Sequence, residues 1–176
     1  TQPRLRQVVD PAAAYIITDV LKGVLAPGGT AGGIDRKINR PAAGKTGTSQ
    51  DYGNAWFVGY TPDLVAGVWV GNDKSAQSVG ASGASLAAPI WADFIQRGLA
   101  GTPRSDFPRP QRVVEAEICA QSGLRPGWWC PRDDIKRELF IEGTEPRRYC
   151  DVHSPLDWNW WERLLPSQWG MELPSW

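Results

Sequence analysis

The chain has 176 residues, of which 41% are hydrophobic and 22% charged, so most of it is expected to fold around a packed core. Its 19 basic and 19 acidic side chains cancel, which excludes the basic excess of a typical nucleic-acid-binding domain. No apolar run has the length of a bilayer span, and residues 1–11 contain no apolar segment of a signal peptide. The start of the chain therefore suggests a piece cut from a longer protein.

The composition changes near residue 101. Five of the ten Trp residues fall in the last nineteen positions, and all three Cys residues lie between 119 and 150. A Pro- and Arg-rich segment precedes this part of the chain. We predict a first domain over residues 1–101, a linker over 102–112 and a small C-terminal module over 113–176.

In the first domain, the sequence predicts an α+β arrangement of helix, three antiparallel strands and helix. Residues 11–25 have helical spacing, with Asp10 as the N-cap and Pro11 in the first turn. A Gly-rich loop follows. The next strand starts at 44–48, and two strands rich in Val and aromatic residues, 54–60 and 64–73, form a hairpin. Residues 88–101 predict the closing helix.

The C-terminal module is predicted to be small and irregular, and rich in Cys and Trp. Residues 113–119 predict one short strand, and the rest has little periodicity. Its order is expected to come from cross-links or clustered aromatic residues rather than from a large core.

The segment Lys45-Thr46-Gly47-Thr48 is a candidate catalytic motif. A tripeptide match alone is weak, and a polar strand start is the simpler interpretation. K-T-G is also the third motif of serine acyltransferase sites. On an edge strand, the two Thr hydroxyls would point to one face and could hold a substrate carboxylate. Gly47 would let a peptide lie against the strand, Lys45 would supply positive charge, and the N–H of Thr48 could be an oxyanion donor.

The surrounding sequence resembles one known family closely. GKTGTSQDYGNAWFVGYTPDLVAGVWVGND is similar to the stretch around K-T-G in class A (bifunctional) penicillin-binding proteins. The flanking segments VVDPAAAYIITDVL, Gly29-Thr30 and APIWADFI match in the same order, over residues 3 to about 100. The resemblance implies the C-terminal half of a transpeptidase domain with the serine transpeptidase/β-lactamase-like fold. One departure is Asn54, where the family pattern has Asp.

The resemblance implies a peptidoglycan D,D-transpeptidase on the extracytoplasmic face of the bacterial cell membrane. An activated serine would attack the D-Ala-D-Ala bond of a stem peptide, and the acyl group would pass to an amine of a neighbouring strand. β-Lactams would bind at the same site, and the chemistry requires no cofactor. The implied partners are the remaining half of the transpeptidase domain and peptidoglycan stem peptides. A membrane anchor would lie upstream.

The nucleophile of such an enzyme is missing from the sequence. No lysine of the chain completes a Ser-x-x-Lys motif, and no asparagine completes Ser-x-Asn. We therefore expect that this chain alone cannot be acylated. Two alternatives remain: a non-catalytic fragment that binds cell wall or a partner, and a serine β-lactamase-like hydrolase. The aromatic hairpin and the Cys-rich module disfavour the hydrolase.

The Cys-rich module offers a candidate metal site. Its spacing is C-x10-C-x19-C-x2-H, and one zinc ion could be bound by Cys119, Cys130, Cys150 and His153. A Cys119–Cys130 disulfide is favoured over zinc for an extracytoplasmic protein, although it leaves Cys150 unpaired. Free thiols are the third alternative. The segment ICAQSGLRPGWWCP and the later ELFIEGTEPRRYCDVH resemble the tail of some class A penicillin-binding proteins. The final Trp-rich stretch, DWNWWERLLPSQW, could stack on sugar rings, but burial of these Trp residues is favoured.

Overall fold

The computed structural model describes residues 6–72 and 77–153. The chain divides into two compact units, Thr1–Gln111 and Arg112–Trp176. None of the helices in these described ranges is long and apolar enough to cross a membrane. The Trp-rich stretch DWNWWERLLPSQW lies outside the described residues.

The first unit begins with helix α1, Pro11–Lys22. Asp10 caps it as predicted: its Oδ1 accepts hydrogen bonds from the N–H groups of Ala12 at 2.8 Å and Ala13 at 3.3 Å. The helix ends three residues before the predicted end, because Gly23 begins a series of turns that continues through the Gly-rich loop. That loop contains an unpredicted short helix, α2, at Ile34–Ile38.

Three antiparallel strands follow, as predicted. They are β1 at Ala43–Thr48, β2 at Asn54–Tyr60 and β3 at Val65–Gly71, in the spatial order β1-β2-β3. The register pairs Thr46 with Phe57 and Trp56 with Trp69. Helix α3, Ala87–Gly98, then closes the unit.

The core of the first unit lies where α3 packs on the sheet. Phe57 and Trp91 are fully buried, with ring centroids 5.0 Å apart. The Trp91 indole N–H donates to the Gly59 carbonyl at 3.1 Å, so its polar group is satisfied inside the core. Ile95 and Leu25 complete the most buried part of this cluster.

The segment that follows α3, for which the sequence predicts a linker, lies against the first unit. The guanidinium of Arg40 donates to the carbonyl oxygens of Leu99, Thr102 and Pro103 at 2.7, 2.8 and 3.1 Å. Phe107 contacts the Tyr60 ring edge-on, with centroids 5.8 Å apart. Arg40 thus holds the end of α3 and the first residues after it against the first unit.

The second unit contains more regular structure than the irregular module that the sequence predicts. Strand β4 forms at Val113–Cys119 as expected, and it pairs antiparallel with an unpredicted strand, β5, at Ile135–Ile141. A 3-10 turn at Arg132–Asp134 precedes β5. Among the described residues of this unit, the buried hydrophobic side chains are Val113, Cys119 and Cys150.

Candidate functional site

The K-T-G motif lies on β1, which forms one edge of the sheet in the described part of the chain. Thr46 and Thr48 share the face of the sheet on which their cross-strand partners, Phe57 and Ala55, are buried. Lys45 and Gly47 lie on the opposite face, opposite Val58 and Trp56. The structure therefore brings the two hydroxyls together on one face, as the motif predicts.

The hydrogen-bond pattern determines which backbone groups face the open edge. Ser49 N–H donates to the Asn54 carbonyl at 3.0 Å, so Ser49 and every second residue before it bond to β2. On the other side of β2, Thr61 N–H donates to the Leu64 carbonyl at 2.8 Å, which agrees with this alternation. The N–H and C=O groups of Thr46 and Thr48 therefore point away from β2, toward the open edge of β1.

The Lys45 side chain brings its charge to this open edge. Its Nζ donates to the Thr46 carbonyl at 2.9 Å, and that carbonyl is one of the edge-facing groups. Lys45 is exposed, so its ammonium is accessible to a ligand. The edge thus presents one cation beside outward-facing backbone N–H groups, an arrangement that suits an anionic ligand or a developing oxyanion.

Two residues that the sequence did not single out as site residues contact the Thr hydroxyls. Thr30, in the turn region between α1 and α2, has its Oγ1 3.1 Å from Thr46 Oγ1. Gly83, in the loop before α3, donates its backbone N–H to Thr48 Oγ1 at 3.1 Å. Both contacts join distant parts of the chain, and only the Gly29-Thr30 match in the sequence pointed toward either of them.

Close backbone approach explains the glycines at this site. A Cβ on Gly83 would lie 2.2 Å from the Trp56 carbonyl oxygen and 2.4 Å from the Gly47 carbonyl oxygen, so no larger residue fits there. A Cβ on Gly47 itself would lie 3.1 Å from the Trp56 Cβ, which is tight. The loop that contains Gly83 can therefore lie directly on the β1–β2 pair.

Asn54, the one departure from the family pattern, supports the start of β2. Its Oδ1 accepts a hydrogen bond from the Trp69 indole N–H at 2.8 Å, and its backbone N–H donates to Ser49 Oγ at 2.8 Å. Trp69 also contacts Trp56, with centroids 6.3 Å apart. An Asp at this position would offer the same acceptor oxygen to Trp69, so the substitution preserves the contact.

The second unit contains a cluster of sulfur and imidazole groups. The ligand atoms of Cys119, Cys130, Cys150 and His153 all lie within 4.8 Å of one another. His153 Nδ1 is 3.4 Å from Cys119 Sγ and 3.5 Å from Cys150 Sγ. All three cysteines are free thiols, so the favoured Cys119–Cys130 disulfide is not formed in the structure.

The three thiols differ in how readily they ionise. Burial opposes ionisation of Cys119 and Cys150, but hydrogen bonds outweigh it and lower the pKa of both thiols. The Ser122 hydroxyl and the His153 backbone lower the pKa of Cys150 to about 7. Burial raises the pKa of the Cys130 thiol to about 11. The cluster therefore favours a thiolate at Cys150 over one at Cys130.

Family comparisons match both units. The family described as the penicillin binding protein transpeptidase domain matches residues 1–96, which include β1 and the K-T-G motif. A second family, the C-terminal domain of penicillin-binding protein 1A, matches residues 109–155, which include all three cysteines and His153.

Individual relatives agree with these matches. The chain is 38% identical over 159 residues to penicillin-binding protein 1A of Clostridium tetani, covering 85% of this chain and 20% of the relative. It is 32% identical over 181 residues to penicillin-binding protein 2D of Bacillus subtilis, covering 91% of this chain and 26% of the relative. The chain thus spans about a fifth to a quarter of the length of these relatives.

A solved structure agrees in fold. The crystal structure of penicillin-binding protein 1A from Haemophilus influenzae matches with a TM-score of 0.68 and 30% identity, over 81% of this chain and 22% of that protein. The matched regions, the K-T-G strand and the similarity of fold lead to one conclusion. The chain belongs to the penicillin-binding protein transpeptidase family.

Proposed function

We propose that this chain forms one wall of the active site of a peptidoglycan D,D-transpeptidase within a class A penicillin-binding protein. The observation that carries the proposal is the open edge of β1. It combines the edge-facing N–H of Thr48, the ammonium of Lys45 and the paired hydroxyls of Thr46 and Thr48 on one strand. The acyl-donor stem peptide, before it loses its terminal D-Ala, and a β-lactam share the features that such an edge binds: a carbonyl that becomes an oxyanion, and a nearby carboxylate.

Each residue of the motif has a distinct role in this proposal. The Thr46 and Thr48 hydroxyls hold the terminal carboxylate of the stem peptide, and Thr30 orients the Thr46 hydroxyl. The Thr48 N–H is one oxyanion donor. Lys45 balances charge and assists proton transfer at the edge of the strand. Gly47 has no side chain to obstruct a peptide that lies along the strand, and a Cβ there would also lie a tight 3.1 Å from the Trp56 Cβ.

The acylated serine must come from elsewhere, because the 176 residues contain no Ser-x-x-Lys and no Ser-x-Asn. The partner that supplies these motifs is the rest of the transpeptidase domain. The apolar surface of the first unit supports this assignment: Ile17 and Val20 on α1, and Ile90 and Phe94 on α3, are each at least half exposed. Exposed apolar stripes of this kind are typical of surfaces that another part of a protein covers.

Family membership supports the substrates, inhibitors and location that belong to the proposed function. The substrates would be peptidoglycan stem peptides, the inhibitors β-lactams, and the location the extracytoplasmic side of the bacterial membrane. The chemistry of acyl transfer from a serine requires no cofactor.

The test is intact mass of the purified protein under denaturing conditions, with and without a fluorescent penicillin. We expect one acyl adduct on the polypeptide segment that contains Ser-x-x-Lys, and none on a 176-residue chain prepared alone. An assembled protein that carries Ser-x-x-Lys and gains no label would overturn the proposal in favour of a non-catalytic binding role. Rapid turnover of the penicillin without a lasting adduct would instead indicate a β-lactamase-like hydrolase.

A further inference from the structure

The part of the second unit that the structure describes, residues 112–153, has little apolar core to hold it together. This part is built on a two-stranded sheet, and its buried hydrophobic residues are Val113, Cys119 and Cys150. A two-stranded hairpin is marginally stable by itself, and small folds with little core usually depend on disulfides or a metal ion. Two of the three buried hydrophobic residues are cysteines, so the centre of this unit is the sulfur cluster.

The two sulfur–nitrogen distances at His153 are close to those of a tetrahedral metal site. Zinc bound to sulfur at about 2.3 Å and to nitrogen at about 2.05 Å holds the two ligand atoms about 3.6 Å apart in tetrahedral geometry. His153 Nδ1 lies 3.4 Å from Cys119 Sγ and 3.5 Å from Cys150 Sγ. The fourth ligand atom, Cys130 Sγ, lies within the same 4.8 Å cluster.

The orientation of His153 is an independent indication of a metal site. Its Nε2 is 3.3 Å from Asp134 Oδ2, while its Nδ1 faces the sulfurs. Asp134 is held in turn by Gln121, whose Nε2 donates to the same oxygen at 2.7 Å. A carboxylate that accepts from one imidazole nitrogen holds the proton there and leaves the other nitrogen free as a ligand, and metal-binding histidines almost always have such a partner.

Backbone hydrogen bonds bring the three cysteine segments together. Cys119 N–H donates to the Leu124 carbonyl at 2.8 Å, and Gly123 turns the chain with a φ of 70°. Cys150 N–H donates to the Arg125 carbonyl at 2.8 Å, which joins the last cysteine to this turn. Gly127 N–H donates to Cys130 Sγ at 3.3 Å, a contact that stabilises negative charge on sulfur.

We propose that the second unit binds one structural zinc ion through the sulfurs of Cys119, Cys130 and Cys150 and Nδ1 of His153. Three thiolates and one imidazole are a ligand set that zinc favours, and four protein ligands leave no open position for catalysis. The zinc would take the place of a core by joining the end of β4 to the segments around residues 130 and 150. This site is independent of the proposed transpeptidase activity, because none of its ligands belongs to the K-T-G strand.

Zinc content and thiol state test the site directly. The protein is purified without chelator or reductant, its zinc is measured by plasma mass spectrometry, and its thiols are alkylated after denaturation in EDTA. We expect one zinc atom per chain and three alkylated cysteines. A zinc-free protein with one alkylated cysteine and a mass lower by two hydrogens would overturn the proposal in favour of the disulfide. Three alkylated cysteines without zinc would overturn it in favour of free thiols.

Variants identify the ligands. We expect Cys150→Ser and His153→Ala to lose zinc, and His153→Cys to keep it, since a fourth thiolate completes the same geometry. Asp151→Asn is the matched control, because Asp151 is an exposed carboxylate next to a ligand in sequence, and its ion pair with Arg148 at 3.6 Å is also exposed. Zinc retained by both Cys150→Ser and His153→Ala would overturn the assignment.

Asp134→Asn tests the site without removing a ligand, which matters if the ligand variants fail to fold. We expect the Asp134→Asn protein to fold normally and to bind zinc about 10- to 100-fold more weakly, as measured by competition with a chromophoric chelator. Unchanged affinity in a folded Asp134→Asn protein would contradict the assigned orientation of His153.

Discussion

The backbone N–H of Gly83 donates a hydrogen bond to the Thr48 hydroxyl at 3.1 Å, across 35 positions of sequence. The loop before α3 is therefore part of the support for the K-T-G strand. Its close approach is possible only because Gly83 has no side chain: an added Cβ would meet the carbonyl oxygens of Trp56 and Gly47. The orientation of one motif hydroxyl thus depends on a glycine far from the motif.

Gly83→Ala is expected to displace this loop from the sheet. A Cβ 2.2 Å from the Trp56 carbonyl oxygen requires backbone movement, which should lower the free energy of unfolding by about 1–3 kcal/mol. Thermal and urea unfolding of the assembled protein measure the change. Thr48→Val is the comparison, because it removes the same hydrogen bond without crowding the loop and should cost only about 1 kcal/mol. Equal losses in the two variants would contradict the steric explanation.

Asn54→Asp is expected to leave stability nearly unchanged, because an aspartate oxygen can accept from the Trp69 indole as the asparagine oxygen does at 2.8 Å. Asn54→Ala removes the acceptor and should lower the free energy of unfolding by about 0.5–1.5 kcal/mol. The indole is partly exposed, which limits the loss, since water can replace the lost partner. Unfolding curves of the two variants measure these changes. A larger loss of stability in Asn54→Asp than in Asn54→Ala would exclude this role of Asn54.

Gly59→Ala tests the packing of α3 on the sheet. A Cβ there would lie 2.7 Å from both Phe57 Cε1 and Trp91 Cζ2, two fully buried rings. Overpacking of this kind should lower the free energy of unfolding by about 1–3 kcal/mol. Gly67→Ala is the matched control, since its Cβ would meet only Val58 Cγ2, at an ordinary 3.7 Å. A stable Gly59→Ala protein would show that the core is less rigid than these distances indicate.

Removal of zinc should loosen the second unit and leave the first intact. Because the described part of the second unit buries few hydrophobic residues, a strong chelator is expected to make peptide bonds in residues 112–153 sensitive to limited proteolysis. Cleavage sites are mapped by mass spectrometry. Added Zn²⁺ should restore protection and added Mg²⁺ should not, since Mg²⁺ prefers oxygen ligands. Protection from proteolysis that persists after the chelator has removed the zinc would contradict a structural role for the metal.

The elements of the first unit could be predicted where local signals agree. Asp10 and Pro11 mark the start of α1, and the two runs rich in Val and aromatic residues become β2 and β3. Helix α2 could not be predicted, because it has only five residues between Gly33 and Asn39, both with positive φ. A helix this short has no periodic pattern to detect and depends on its buried Ile34 and Ile38.

Strand β5 could not be predicted for a different reason. Its sequence, IKRELFI, has three charged residues in a row and lacks the alternation of a half-buried strand. The strand forms because it pairs with β4, where Arg137 lies opposite Glu117, with Arg137 Nε 3.7 Å from Glu117 Oε1. Pairing across a sheet is a long-range property, so the residues of β5 alone do not indicate it.

The residues of the two candidate sites could be predicted from the sequence, but the residues that hold them in position could not. The sequence singles out Lys45 to Thr48 and the four Cys and His residues by type and spacing. Thr30, Gly83 and Asp134 were not singled out as site residues, although each contacts a candidate residue. Their contacts span 16, 35 and 19 positions of sequence, and a single sequence contains no signal for such pairs.

The acylation rate of variants at the Thr46 and Thr48 hydroxyls tests most directly whether the edge of β1 binds the acyl donor. The assembled protein, which joins this chain to the segment with Ser-x-x-Lys, is reacted with a fluorescent penicillin. The double variant Thr46→Val and Thr48→Val should be acylated about 10- to 100-fold more slowly, because two hydrogen bonds to a carboxylate are lost. Thr144→Val, an exposed control in the second unit, should react at the unchanged rate. Equal rates for the double variant and the control would contradict the account.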